Sequence, residues 1–135
     1  MNIPIDWKKV EVKNVFAIWL PPTLREEYVS AVDSSVRRWA NENIIVHFDL
    51  GRFSDPLTLY SQKRAFEMSS EQIDGVTATL VSFHQDNGWY LTAVHFPDLG
   101  KDRFGQTVKL TLVVEAKAIV DKQVPLRIVR SVQFL

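Results

Sequence analysis

Three histidines, His47, His84 and His95, and the acids near them are the side chains of this chain best suited to metal binding or proton transfer. His47 and Asp49 stand two residues apart. On a strand that spacing puts both on one face, about 6.7 Å from each other, which suits a metal ion or an acid and base pair. Two ligands fall short of the three or four that zinc takes from a protein, so they are weak metal candidates, and a half-exposed strand edge explains them with fewer assumptions. Asp33 beside Ser34 offers an acid and a hydroxyl, yet Asp33 is accounted for as a helix N-cap. The chain has no Cys, which excludes thiolate metal sites, disulfides and cysteine nucleophiles. Nucleophile-elbow, phosphate-loop, paired-histidine zinc and dinucleotide motifs are all absent from the sequence. No catalytic residue and no cofactor is therefore expected, and the balance is against an enzyme.

Two loops offer binding chemistry instead. Gly51 to Pro56 contains Arg52, Phe53 and Asp55, and Pro97 to Gly105 contains Lys101, Arg103 and Phe104. Arginine and aromatic residues dominate interface hot spots, so both loops are candidates for contact with a protein. The competing account is a pair of solvated turns with each Phe tucked into the core. Trp89, next to Tyr90 at a turn, forms a second candidate patch.

The elements that must position these groups begin with Ile73 to Phe96, two apolar runs joined by Asn87-Gly88, a strong hairpin signal. If those two residues form a two-residue type I′ turn, Leu80 faces His95 and Val81 faces Val94. His84 and His95 then share a face but lie four pairs apart, roughly 13 Å, too far to hold one ion. In that register neither face is purely polar, which predicts strands covered on both sides. Val10 to Leu20 reads as a first strand ended by Pro21-Pro22. Thr23 to Asn43 is either one helix opened by a Thr23/Glu26 capping box or an extended piece through Tyr28 to Val32 followed by a short helix capped by Asp33. Ile44 to Phe53 alternates as a strand, and Leu57 to Ser70 is open between strand and helix. Val108, Leu110, Leu112 and Val114 form the inward face of another strand, with Lys109, Thr111 and Glu115 expected in water. The interval of three between Leu126, Val129 and Val132 predicts a C-terminal helix starting at Pro125.

At 135 residues with 46% hydrophobic content, the whole chain, 1–135, suits one domain with an ample core. Sixteen basic residues balance sixteen acidic ones, so no net field favours nucleic acid or anionic lipid. The longest apolar run, Val15 to Leu20, is far too short for a transmembrane segment. Without a secretory leader before it, the chain is expected to be cytoplasmic, or periplasmic or envelope-associated if a leader was removed.

Ile73-Asp74-Gly75 with Ala78, the aromatic hairpin, the strand Lys109 to Ala116 and the closing Ile128 to Phe134 resemble domains similar to the photosystem extrinsic protein PsbP and the bacterial lipoprotein DcrB. Leu20-Pro21-Pro22 and Phe48-Asp49-Leu50-Gly51 are similar to the front of bacterial envelope proteins with the same pattern. The resemblance implies an α+β fold, an antiparallel β-sheet flanked by helices as an α/β/α sandwich. It also implies binding or assembly rather than catalysis.

The leading expectation is a non-enzymatic binding or accessory domain, set in the bacterial envelope by the resemblance and acting through a protein partner. One alternative is a small metal-dependent hydrolase or small-molecule-binding protein using His47, Asp49 and a third group. Another is a cytosolic immunity protein that neutralises a toxin.

Overall fold

A computed structural model describes residues 3–29 and 35–135. Ten strands and one short helix follow in the order β1 (Lys8–Val12), β2 (Phe16–Leu20), β3 (Arg25–Glu27), β4 (Ser35–Ala40), β5 (Ile44–Gly51), β6 (Arg64–Ile73), β7 (Val76–His84), β8 (Trp89–Phe96), β9 (Lys109–Lys117), α1 (Gln123–Arg130) and β10 (Gln133–Phe134). They build a seven-stranded antiparallel sheet, β3-β4-β5-β9-β8-β7-β6, and a three-stranded one, β1-β2-β10. This corrects the expected α/β/α sandwich: the architecture is mostly β, with a second sheet doing much of the covering assigned to helices.

Local chemistry explains most of that shift. The segment read as one strand from Val10 is two, because Lys13 and Asn14 both take positive φ, 48° and 57°, and Val15 N–H donates to Val12 C=O at 2.8 Å. That closes a tight three-residue hairpin loop, Lys13-Asn14-Val15, between the paired Val12 and Phe16, with Lys13 and Asn14 rather than Gly in the left-handed region. The helical readings of Thr23 to Asn43 also give way. Extended backbone lets Arg37 meet the Glu26 carboxylate with both Nε and Nη2, at 2.9 and 2.8 Å, and Arg38 meet Glu27 at 2.8 Å across β3 and β4. Thr23 Oγ1 accepts from Asn41 Nδ2 at 3.0 Å instead of capping a helix. Asp33, the proposed cap, lies outside the described residues. Within Leu57 to Ser70, the chain turns as far as Lys63 and then enters β6, so no helix opens at Pro56.

The register of the central hairpin differs by one residue from expectation. His84 pairs with Tyr90 and Leu80 with Val94, because the loop is Asp86-Asn87-Gly88: Gln85 N–H donates to Trp89 C=O at 2.8 Å and Gly88 N–H to Gln85 C=O at 3.2 Å. Gly88, at φ 88°, supplies the left-handed residue that a three-residue hairpin loop needs. A slip of one residue exchanges the faces of β8. The inner face of the sheet therefore collects Ala78, Leu80, Tyr90, Val94, Phe96, Leu110, Leu112, Val114, Val46 and Phe48, all buried. Both faces of the hairpin stay mixed in the true register, with Ser82, His84 and Thr92 on the inner face and Thr79 and His95 on the outer.

β1, β2 and β10 cover that inner face together with α1. Phe16 meets Phe48 edge to face at 5.2 Å and Phe134 meets Phe96 likewise at 5.1 Å, a favoured aromatic arrangement. The C-terminal helix is present, beginning two residues before Pro125, which sits in its first turn, where a missing N–H costs nothing. Its Ile128 and Val129 are fully buried. Ser131 then locks helix to sheet: its hydroxyl donates to Ile128 C=O at 2.6 Å while Oγ accepts the Trp19 N–H at 3.0 Å.

The outer face is covered differently, by the irregular segment 52–63. Leu57, 2% exposed, joins Val81, Phe83, Ala93 and Val113 in a small second core, with Tyr60 stacked on Phe83 at 5.0 Å. Thr111, expected in water, is 2% exposed beneath this segment.

Candidate functional site

Gly51 pairs with Lys109 and Phe96 with Leu110, so the loops after β5 and between β8 and β9 leave the sheet at the same end. The two candidate binding loops are thereby neighbours. Arg52 stacks on Phe53, its guanidinium 5.4 Å from the ring centroid, and Arg103 on Phe104 at 4.8 Å. Both rings are 71% exposed, so neither Phe is tucked into the core. The acids of the second loop are spent on its own backbone. Asp98 accepts the Gly100 N–H at 2.9 Å, and Asp102 accepts those of Phe104 and Gln106 at 2.8 and 3.0 Å. The Gln106 N–H, then that of Phe104 and the charges of Arg52 and Arg103, hold the Asp102 carboxyl below its usual range. Lys101 donates to Thr107 Oγ1 at 2.6 Å. What this end presents to solvent is two cation-topped aromatic rings.

Asp55 and Trp89 do not belong to that surface. Asp55 turns inward, accepting the Leu57 N–H at 2.8 Å and the Tyr60 hydroxyl at 2.5 Å. That hydrogen bond is the main reason the Tyr60 phenol is pushed up to about 12. Trp89 pairs with Lys117 at the opposite end of the sheet, with the ammonium 5.6 Å from its ring.

His47 and Asp49 line a hollow of about 450 Å³ on the outer face, together with Arg38, Asp55, Tyr60 and Thr111. Burial, then the charge of Arg38, lowers the His47 pKa against the pull of Glu115 and Asp49. The nearest acid among the described residues, Glu115, stands 3.9 Å from His47 Nε2, beyond hydrogen-bond reach. Asp49 Oδ1 is buried without a partner among the described residues. His95 shares this face, not that of His84 as expected, because of the shifted register. Its Nδ1 lies 2.8 Å from Thr111 Oγ1, whose hydroxyl donates to Asp55 C=O at 2.6 Å. Thr111 thus accepts from His95, which assigns the proton to Nδ1. Burial first, then Lys109, lowers the pKa of this imidazole. Among the described residues no three His, Asp or Glu side chains converge as a metal requires.

A third feature escaped the sequence. On the inner face, between α1 and edge strand β6, a groove of about 330 Å³ is lined by Glu67, Ser82, Thr92, Lys122 and Arg130 among others. Its signal was the pair Ser82 and Thr92, opposite one another in the middle of β7 and β8, where the neighbouring inner-face row of Leu80 and Val94 is apolar. That coincidence is visible only in the correct register.

No protein-family model matches this chain, and no curated protein matches it.

Proposed function

We propose that the protein is a non-enzymatic binding domain that docks an acidic segment of a protein partner on the loops at the Phe53 and Phe104 end of the sheet. The observation that carries this is the pairing of two exposed Phe rings with two guanidiniums, in loops whose own acids are committed to backbone N–H groups. A rigid aromatic surface costs little entropy to bury, and guanidinium groups take carboxylates in a bidentate fashion. The charge balance of the whole chain is neutral, so attraction for an acidic partner would be local and salt-sensitive. The outer hollow offers a weaker case for hydrolysis, since His47 has no acid within hydrogen-bond reach among the described residues.

The test is photo-crosslinking from two positions in otherwise intact protein. A benzoylphenylalanine at position 104 is expected to capture a partner in native extract, and the same probe at position 119, an exposed site near the far end of β9, is expected to capture none. Arg52→Ala with Arg103→Ala should abolish the product. A partner that crosslinks from position 119, or that ignores both arginine changes, removes the proposal.

A further inference from the structure

The groove beside α1 is independent of the loop surface and is built from elements far from it in sequence. Three register rows explain its shape. Glu67, Ser82 and Thr92 are consecutive neighbours across β6, β7 and β8, and Val114 on β9 continues the row. Polarity therefore rises stepwise from the sealed core towards the edge strand. Arg64, His84 and Tyr90 form the next row towards the turns, and Ser69, Leu80 and Val94 the row on the other side. The small sheet covers the apolar half of the inner face, and α1, packed on β8 and β9, bounds the polar half as a wall.

The two walls carry opposite charges. β6 contributes Glu67 and Glu71, and the α1 side contributes Lys122 and Arg130. Arg130 meets the Glu71 carboxylate with Nη2 at 2.6 Å and Nε at 3.2 Å, which neutralises one opposed pair and fastens the helix to the edge strand. Glu67 and Lys122, the other opposed pair, have no ion-pair partner among the described residues. Between them lie the hydroxyls of Ser82 and Thr92 and the apolar surfaces of Leu80, Tyr90 and Leu126. Tyr90 is held in place by donating its hydroxyl to Val120 C=O at 2.8 Å, which anchors the segment leading into α1.

We propose that this groove binds a small zwitterion, a free α-amino acid or dipeptide with an aliphatic side chain. Its ammonium goes to Glu67, its carboxylate to Lys122, and its side chain to Leu80, Tyr90 and Leu126. The charge pattern selects this class. An anion would face Glu67 unpaired, a cation would face Lys122 unpaired, and a neutral molecule would satisfy neither. Volume sets the size, since about 330 Å³ is at the small end of ligand pockets and suits a small molecule rather than a folded segment.

Isothermal titration of the intact protein tests it with L-leucine and its two singly charged counterparts, 3-methylbutylamine and 4-methylpentanoate. Leucine should bind, and each counterpart should bind at least about tenfold more weakly. Glu67→Gln and Lys122→Met should each weaken leucine about tenfold. Both positions are exposed on the groove rim, so the fold should tolerate either change. Thr92→Val keeps the shape of the floor and should weaken binding without lowering the melting temperature. The proposal fails if neither leucine nor a leucyl dipeptide gives heat at about 10 mM, if the amine or the acid alone binds as well as leucine, or if Glu67→Gln and Lys122→Met bind like the wild type.

Discussion

The two faces of the seven-stranded sheet are closed by different means. The inner face is closed over its apolar half by regular elements, three strands and a helix, whose Phe16, Ile18, Ile128 and Val129 are wholly buried. The outer face is closed by segment 52–63, which has no repeating backbone hydrogen bonds and holds Leu57 at φ 62°, a conformation costly for a residue with a side chain of that size. One face is a core in the ordinary sense. The other is a lid whose strain is offset by Leu57 burial, by Thr111 and by the Asp55 to Tyr60 hydrogen bond. The lesson is that the two faces are closed by different kinds of packing: regular elements inside, with a groove left at the edge beside β6, and one irregular segment outside.

Cutting into both cores separates the two faces most directly. Phe48→Ala should cost about 3–5 kcal/mol, because the ring is 1% exposed between Phe16 and Trp39 and regular elements on both sides cannot collapse into the gap. Leu57→Ala should cost nearer 2 kcal/mol, since an irregular segment can settle into the space it leaves. Urea denaturation of the two variants gives the difference. Equal losses would mean that the lid is as integral to the fold as the small sheet.

A finer version removes one hydroxyl from each side. Ser131→Ala leaves the Trp19 N–H without its partner in a sealed region and should cost about 1–3 kcal/mol. Thr111→Val strips the group that joins His95 to the Asp55 carbonyl, and the cost should be at the lower end of the same range, because the lid can admit water to the freed groups. Hydrogen exchange separates the two mechanisms. Ser131→Ala should speed exchange at the termini of β2 and α1 together, whereas Thr111→Val should act on segment 52–63 alone.

How far these differences were legible in the sequence depended on whether a signal was local. Strict alternation of Ile44, Val46, Phe48 and Leu50 announced β5, and the repeat of Leu126 and Val129 announced α1, because period follows from backbone geometry. Lys13-Asn14 hid a turn, since left-handed φ in non-glycine residues leaves little trace in composition. Asn87-Gly88 announced a hairpin but not its loop length, and one residue of loop exchanged the faces of β8 and moved His95 away from His84. The helical readings of Thr23 to Asn43 failed because β4 pairs with β5 along its whole length, a partner that the local capping signal at Thr23 does not reveal. At the sites, the loops containing Arg52 and Arg103 were recognisable from residue type alone. Their adjacency was not, because it rests on β5 and β9 pairing across about sixty residues of sequence. The groove needed both the register and the docking of α1.

Acid probes the outer face selectively. His95 is 4% exposed and its folded pKa lies below the ordinary imidazole value of 6.5, so the unfolded chain takes up a proton before the folded one does. Stability is accordingly full above pH 6.5 and falls with acid between that value and the lowered folded pKa. His47 shifts in the same direction, but 40% of its side chain meets solvent, so its share should be smaller. Denaturant midpoints measured between about pH 7.5 and pH 5 should therefore decline in the wild type. In His95→Gln the decline should flatten, and in His47→Gln it should flatten less. A pH profile that keeps its slope in His95→Gln would show that the outer face is already wet enough to protonate without cost.

The smallest effect on stability, and the largest contrast with function, is expected at the end of the sheet where neither face ends in a core. Phe53 and Phe104 are exposed, and their arginine neighbours make no ion pair among the described residues. Phe104→Ser and Arg52→Ala should therefore leave the melting temperature within the range of ordinary surface changes, about 0.5 kcal/mol either way. Asp102→Ala should cost more than either, although it lies in the same loop, because it frees the N–H groups of Phe104 and Gln106 and loosens the turn that holds the ring out. If partner capture at position 104 falls in Asp102→Ala while Arg103 and Phe104 remain in place, the loop works by prior organisation rather than by composition. If capture survives, the arginine and phenylalanine side chains suffice without the turn, and the acid serves the fold alone.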